Sequence, residues 1–283
     1  MKNGAGSGGK WLDVSPERFP GWIVSFSARH GLSDVGGASE ADDVSRSART
    51  LTGPGTALAV TFGDDRVSFT ARDGSVAECH PPFPPPGGLA VLGIAGADSA
   101  VDRGSAAAGD ASAASATADD DANASDVAAI AEALAAHARR PRTVGVLLVR
   151  LGGYAAGVFT GYPPALVDAK VGSRLVHGRS AAGGWSQHRF ARRREKQANE
   201  ALDAAADAAV LIFRRSAPSA AGLDAVVLGG DRRAVAELRD DPRLAPYFQL
   251  AAERFLTVPD PKRAVLLETP RLFTAVRIRL TET

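Results

Sequence analysis

Residues 96–125 contain almost nothing that a folded domain could bury. The segment is built mainly from Ala, Ser, Asp and Gly, and from Gly96 to Asp126 it holds seven Asp against one Arg. So few apolar side chains cannot offset the conformational entropy that the segment would lose on folding. The segment is therefore predicted to be a disordered acidic insertion. The 283-residue chain must then form its cores on either side of it, and its length allows two domains.

The sequence before the insertion predicts a small α+β domain over residues 11–95. Residues 1–10 are polar and glycine-rich, and they predict disorder. Ser15-Pro16-Glu17 is typical of a helix start, with Ser as the N-cap and Pro at the first position. Turn residues then separate three strand-like segments of a β-meander, at residues 56–62, 66–70 and 75–79.

The sequence after residue 125 predicts a connecting helix and a second domain. Ser125 is a suitable N-cap for a helix over residues 126–140, and the second domain covers residues 141–283. Its strands are predicted at residues 143–151, 154–160, 166–179, 209–213, 225–228 and 273–280, the first two flanking a Gly152-Gly153 hairpin loop. Its helices are predicted at residues 188–208, 231–240 and 251–256. This order predicts an α/β (α+β) fold with a mixed sheet flanked by helices.

Charge is segregated along the chain although the net charge is only +1. From Arg139 to Asn199 there are twelve Lys and Arg against two acids, Asp168 and Glu195. A basic block of this kind predicts a nucleic-acid surface. The lone Cys79 cannot form an internal disulfide, and no segment has the length of apolar residues that a membrane helix needs. We therefore expect a cytoplasmic protein without membrane contact, in which Cys79 is a small buried hydrophobe.

A flexible loop stands directly before the densest positive charge. Gly183 and Gly184 permit a close backbone approach to another surface, and a helix N-terminus after them presents free N–H groups to an anion. The next residues place five cations within the eight residues 189–196, where they repel one another unless a polyanion lies against them. The alternative is an ordinary loop in which Ser186 caps a solvated helix.

The stretch GGWSQHRFARRREKQ resembles the catalytic loop and following helix of the actinobacterial Vms-like release factor family. These are peptidyl-tRNA hydrolases related to the central domain of eukaryotic and archaeal class-I release factors. The resemblance extends to PRTVGVLLVRLGGYAAGVFTG, AKVGSRLVHGR and PERFPGWIVSFSARHG. It implies a release-factor-like domain over residues 141–283, acting without a cofactor as a monomer. Its partners would be peptidyl-tRNA and the peptidyl-transferase centre of the large ribosomal subunit.

The resemblance also implies a role for each residue of the loop. Gln187 stands where release factors place the glutamine of a Gly-Gly-Gln tip, and Gly183 and Gly184 would shape that tip. Trp185 and Ser186 lie between them, as in the Vms-like branch. Neutral glutamine is a poor general base, so Gln187 would position water or offer its backbone N–H to the oxyanion. The cations expected to bind RNA are Arg189, Arg192, Arg193, Arg194, Lys196, Lys170, Arg174 and Arg179.

Two other functions remain open at this point. The eukaryotic Vms-type relative is thought to cut the tRNA near its 3′ end, and the same loop would serve that reaction. A non-catalytic ribosome- or tRNA-binding factor would use the arginine-rich helix equally well. A metal-dependent nuclease is disfavoured because residues 143–151 and 154–159 carry no Asp or Glu for Mg²⁺, and no paired His or Cys residues suggest zinc. We expect no metal site.

Overall fold

The computed structural model describes residues 9–30, 50–51, 58–92, 115–150, 153–173, 186–217 and 220–283, with backbone alone for residues 50–51, 90–91, 115–126, 186–196, 198 and 221. Residues 1–8, which were predicted to be disordered, lie outside the described residues. So do residues 96–114, the first part of the predicted acidic insertion. The chain divides into two compact units, Met1–Arg139 with Thr274–Thr283, and Arg140–Phe273. The predicted mixed α/β class is confirmed.

The first unit contains a six-stranded antiparallel sheet. Its strands are β1 (Lys10–Val14), β2 (Thr50–Leu51), β3 (Leu58–Phe62), β4 (Val67–Ala71), β5 (Val76–His80) and β11 (Val276–Thr281). They lie in the order β1-β11-β5-β4-β3-β2. Strands β3, β4 and β5 are the predicted meander, and alternate side chains along each of them point into the core. Lys10 was expected in a disordered terminus, but it begins β1.

Two helices cover one face of this sheet, α1 (Phe19–His30) and α2 (Ser115–Ala138). The side chains that they bury in one core with the strands include Phe19, Ile23, Phe26, Ile130 and Leu134. Helix α2 begins at Ser115, eleven residues before the predicted helix start at residue 126. Alanine has the highest helix propensity, so an Ala-rich stretch extends a helix without burying a new face. Part of the segment predicted to be disordered is therefore helical.

The last strand of the chain lies in the first unit, although the sequence assigned it to the second domain. Strand β11 pairs with β1 and β5, with Ile278 opposite both Leu12 and Cys79. Its alternating residues Val276, Ile278 and Leu280 are buried in the first core. Alternation predicts one buried face but not which sheet supplies its neighbours, because pairing depends on residues distant in sequence. Cys79 is fully buried as predicted, and burial raises the pKa of its thiol well above the usual range.

The second unit contains a five-stranded mixed sheet in the order β10-β9-β6-β7-β8. Its strands are β6 (Arg142–Arg150), β7 (Gly153–Gly161), β8 (Ala165–Ser173), β9 (Ala225–Gly230) and β10 (Ala251–Leu256). Strands β6, β7 and β8 form an antiparallel meander, whereas β9 runs parallel to both β6 and β10. The mixed sheet and the β6–β7 pairing were both predicted. The carboxyl ends of β6, β9 and β10 therefore meet at one edge of the sheet.

Two segments of this unit differ from their predicted structure. Residues 209–213, predicted as a buried strand, belong to the long helix α3 (Ser186–Ser216). A short apolar run suits a buried helix as well as a buried strand, so periodicity alone does not separate the two. Residues 251–256, predicted as a helix, form β10 beside β9. Here pairing with a neighbouring strand outweighs the helix propensity of Ala, Glu and Leu.

Helices lie on both faces of the second sheet. Helix α3 packs on one face, where a Cβ on Gly145 would lie 3.1 Å from the Phe213 ring. The other face carries α6 (Arg263–Phe273), whose Phe273 ring centre lies 5.8 Å from that of Phe159. Two short helices, α4 (Arg232–Glu237) and α5 (Ala245–Phe248), connect β9 to β10. The predicted helix over residues 231–240 corresponds to α4 and the 3-10 turn that follows it. Within the described residues, no helix is long and apolar enough to cross a membrane.

Gly230 and Gly161 allow a matched test of this sheet. Both have positive φ angles, +101° and +84°, so an Ala at either position pays the cost of a left-handed backbone. Only at Gly230 would the new Cβ overlap a neighbouring atom, the carbonyl oxygen of Val149; at Gly161 the nearest atom lies 4.0 Å away. We expect Gly161→Ala to lower the free energy of unfolding by about 1 kcal/mol and Gly230→Ala by about 3 kcal/mol or more. Urea unfolding measures both, and equal losses would contradict the packing at Gly230.

Candidate functional site

Helix α3 dominates the second unit, and its 31 residues span about 46 Å. Its sequence is rich in Ala, Arg, Glu, Gln and Leu, which favour helix throughout. Its buried stripe follows steps of three and four residues and includes Ala201, Ala205, Ala208, Ala209 and Ile212. The small alanine side chains allow the helix to lie close to the sheet.

Two contacts fix where the C-terminal end of α3 lies on the sheet. Arg215 Nε lies 3.4 Å from Asp168 Oδ2 on β8, and the Phe213 ring packs at Gly145 on β6. Asp168 and Gly145 belong to one row across the sheet, because each is the register partner of Val158 on β7. The end of α3 therefore lies level with this row.

The N-terminal part of α3 extends past the edge of the sheet. From Asp168 the strand continues five residues to Ser173, about 17 Å. That distance corresponds to about eleven helical residues, so the edge lies level with about residue 204 of α3. Burial places the edge a few residues earlier, near residue 200, because Asn199 is exposed whereas Ala201 and Ala205 are buried. The helix starts at Ser186, so the residues of α3 before this edge extend about 20 to 27 Å further.

The predicted site residues fall on this projecting end or next to it. The backbone of Ser186 and Gln187 forms the first turn of α3, where helix N–H groups lack intrahelical partners. The same helix carries the backbone of the five predicted RNA-binding cations Arg189, Arg192, Arg193, Arg194 and Lys196. The structure thus brings the glutamine and these cations onto one element, and their roles stay predictions.

The other predicted residues are distributed as follows. Gly183, Gly184 and Trp185 lie outside the described residues, as do Arg174 and Arg179. Lys170 is the one predicted RNA-binding residue whose side chain the structure describes, and it is exposed on the edge strand β8. Among the described residues, no group of three or more His, Cys, Asp or Glu side chains could hold a metal ion.

An ion-pair cluster holds α3 to the segment between α4 and α5. Arg243 Nη1 donates to Asp207 Oδ1 at 2.6 Å, and Arg243 Nη2 donates to Asp241 Oδ2 at 2.7 Å. The hydrogen bonds from Arg243 lower the pKa of Asp241, and they raise the pKa of the guanidinium in turn. Because the cluster is exposed, its contribution to stability is small. Its effect is to neutralise Asp207 on the outer face of α3.

The sequence prediction missed two cations, Arg214 and Arg215, in the last turn of α3. It placed Arg214 and Arg215 after a predicted strand over residues 209–213, so it assigned them to no face of a helix. A usable signal was present, because Asp207, Val210, Leu211 and Arg214 follow the spacing of three and four residues that marks one face of a helix.

Comparison with known families agrees with the resemblance drawn from the sequence. Residues 142–279 match the model of a family described as Actinobacteria/chloroflexi VLRF1 release factor. This range begins at the first residue of β6 and covers the whole second unit from there, including all of α3. The amino-terminal stretch that also suggested the family lies outside the matched range. A search of functionally curated proteins finds no match.

Proposed function

We propose, from the match of residues 142–279 to the model of the Actinobacteria/chloroflexi VLRF1 release factor family, that this protein hydrolyses the ester of peptidyl-tRNA. The family indicates a release-factor-like role in translation. The observation that best supports the finer proposal is the position of Gln187 in the first turn of a helix that extends about 20 to 27 Å past its sheet. A glutamine at the end of such a projection can reach an ester enclosed within a larger particle.

The chemistry of ester hydrolysis suits this arrangement. Attack of water on the ester carbonyl forms a tetrahedral intermediate with a negatively charged oxygen. The first turn of α3 offers backbone N–H groups and the positive end of the helix dipole to that charge. The Gln187 side-chain amide would orient the attacking water, and ribosomal RNA and the terminal tRNA ribose would supply the remaining groups. No Ser-His-Asp set is then required.

The proposal places the protein in ribosome rescue. It would act in the cytoplasm, as a monomer, on stalled ribosomes or on free large subunits that still carry peptidyl-tRNA. The loop at residues 183–187 would enter the peptidyl-transferase centre, and the cations that follow it on α3 would bind the phosphate backbone. His188 would face RNA or solvent.

The test uses isolated large subunits that carry peptidyl-tRNA with a labelled peptide and a labelled tRNA 3′ end. We expect release of a peptide with a free carboxyl group and a tRNA of unchanged length. Puromycin in a parallel reaction verifies that the peptidyl-tRNA is reactive. A shortened tRNA would instead identify a nuclease. Binding without any product would identify a non-catalytic ribosome-binding factor.

A further inference from the structure

A charged groove lies at the opposite end of α3 from Gln187. It is open to solvent, has a volume of about 480 Å³, and lies between α3, the edge strand β8 and the segment before α5. The residues that matter for its chemistry are Lys170, Asp207, Leu211, Arg214, Arg215 and Arg243. Four of these six carry positive charge and only one carries negative charge.

Internal ion pairs leave part of this positive charge uncompensated. Arg243 is bound to two carboxylates, Asp207 and Asp241, so this cluster adds no positive charge to the groove. Arg215 Nε lies 3.4 Å from Asp168 Oδ2, and the Arg215 side chain remains 63% exposed. Lys170 and Arg214 form no ion pair with any other residue that the structure describes. Their charges are available to an anion.

The groove lies on the same face of α3 as the predicted RNA-binding positions near Gln187. Positions 207, 210, 211 and 214 follow positions 189, 192, 193 and 196 by eighteen residues, which is five helical turns. Glu200 and Asp203 lie on this face between the two groups. The face therefore presents two separate basic patches, about 27 Å apart along the helix from Lys196 to Arg214.

We propose that this groove binds the phosphate backbone of large-subunit ribosomal RNA through Lys170, Arg214 and Arg215. The proposal rests on the proposed function, which places Gln187 at the peptidyl-tRNA ester. The groove lies about 40 Å from Gln187 along α3, too far to contact the ester or the terminal nucleotide of the substrate. At that distance from the ester, the groove would contact the ribosomal RNA that surrounds the peptidyl-transferase centre.

The composition of the groove fits a nucleic-acid backbone. Arg214 and Arg215 present planar guanidinium groups that pair two phosphate oxygens, and Lys170 adds a third cation from β8. Leu211, 43% exposed, offers an apolar surface to a ribose between them. The negative end of the α3 dipole accounts for cations in the last helical turn, but not for Lys170 on a neighbouring strand.

The experiment compares the parent with Arg214→Gln/Arg215→Gln in binding to vacant large subunits and, separately, to free deacylated tRNA. We expect the affinity for subunits to fall about tenfold or more at 0.1 M salt, because two phosphate contacts are lost. The log–log salt slope should fall by about 1.4 to 1.8. Affinity for free tRNA should fall much less than affinity for subunits. Arg214→Lys should retain most of the binding, since it keeps the charge.

The control is Arg271→Gln, an exposed arginine on α6 at the opposite face of the sheet. It should change neither the affinity nor the slope. If the double variant is destabilised, the single variant Arg214→Gln replaces it, because it keeps the Arg215–Asp168 ion pair. Its salt slope should fall by about half as much as that of the double variant. Unchanged binding to subunits overturns the proposal, and an equal loss of tRNA binding overturns ribosomal RNA as the partner. A parent that binds subunits but releases no peptide contradicts only the proposed function.

Discussion

Replacing Gln187 with Ala should slow peptide release by about a hundredfold or more while binding to large subunits stays nearly unchanged. Loss of a group that orients water or stabilises an oxyanion typically costs this much in rate. Gln187 belongs to the first turn of α3, before the predicted RNA-binding cations in sequence, so removal of its side chain should leave the binding surface intact. Single-turnover release from saturated large subunits measures the rate, and sedimentation measures binding.

Gln197→Ala is the matched control, because it makes the same chemical change ten residues further along the same helix. It should release peptide at the parent rate. If Gln187→Ala also released peptide at the parent rate, the assignment of Gln187 as the catalytic residue would be wrong. A loss of release that is matched by a loss of binding would instead give Gln187 a role in docking.

Gln187→Pro separates the two roles that the glutamine can take. Proline is tolerated in the first turn of a helix, but it removes the backbone N–H as well as the amide side chain. If the side chain alone positions water, Ala and Pro should impair release equally. If the backbone N–H stabilises the oxyanion, Pro should impair release much more strongly than Ala.

The sequence predicted those parts of the fold in which the local pattern settles the structure. Strands β3, β4 and β5 combine alternating apolar residues with turn residues between them, and β6 and β7 flank a Gly-rich hairpin loop. The errors arose where pairing with a neighbouring strand decides the structure of a segment. Residues 251–256 have helical propensity but lie beside β9, and β11 pairs with strands about 200 to 270 residues away in sequence. Such pairings depend on tertiary context that local sequence does not contain.

The residues of the candidate site divide in the same way, into those that a local motif indicates and those that only packing brings together. The glycine-rich loop, Gln187 and the following cations are contiguous in sequence, so one motif indicates them together. The groove at the other end of α3 combines Lys170 from β8, Arg214 and Arg215 from α3, and Arg243 from the segment before α5. Only the packing of α3 against β8 and against the segment before α5 brings these residues together. A charge count along the chain therefore finds the first basic patch and misses the second.

Changing Arg189, Arg192 and Arg193 together to Glu should weaken binding to large subunits by about a hundredfold or more at 0.1 M salt. These positions share one face of the projecting part of α3. Each phosphate contact releases a counterion, and each lost contact lowers the log–log salt slope by about 0.7 to 0.9. Three lost contacts should therefore lower it by about 2 to 3. Sedimentation with large subunits at several salt concentrations measures both quantities.

The control for this variant must separate two effects on binding, that of where the charge lies and that of how much charge is changed. Arg233, Arg239 and Arg271 are exposed arginines outside α3, and changing all three to Glu alters the net charge by the same six units. If α3 carries the RNA contacts, the control should keep most of the parent's salt slope, since only the long-range repulsion has changed. Equal losses in both variants would mean that net charge alone governs binding. An unchanged slope in the α3 variant would mean that these arginines face solvent on the ribosome, and the projecting helix would then reach the peptidyl-tRNA ester without holding RNA along its length.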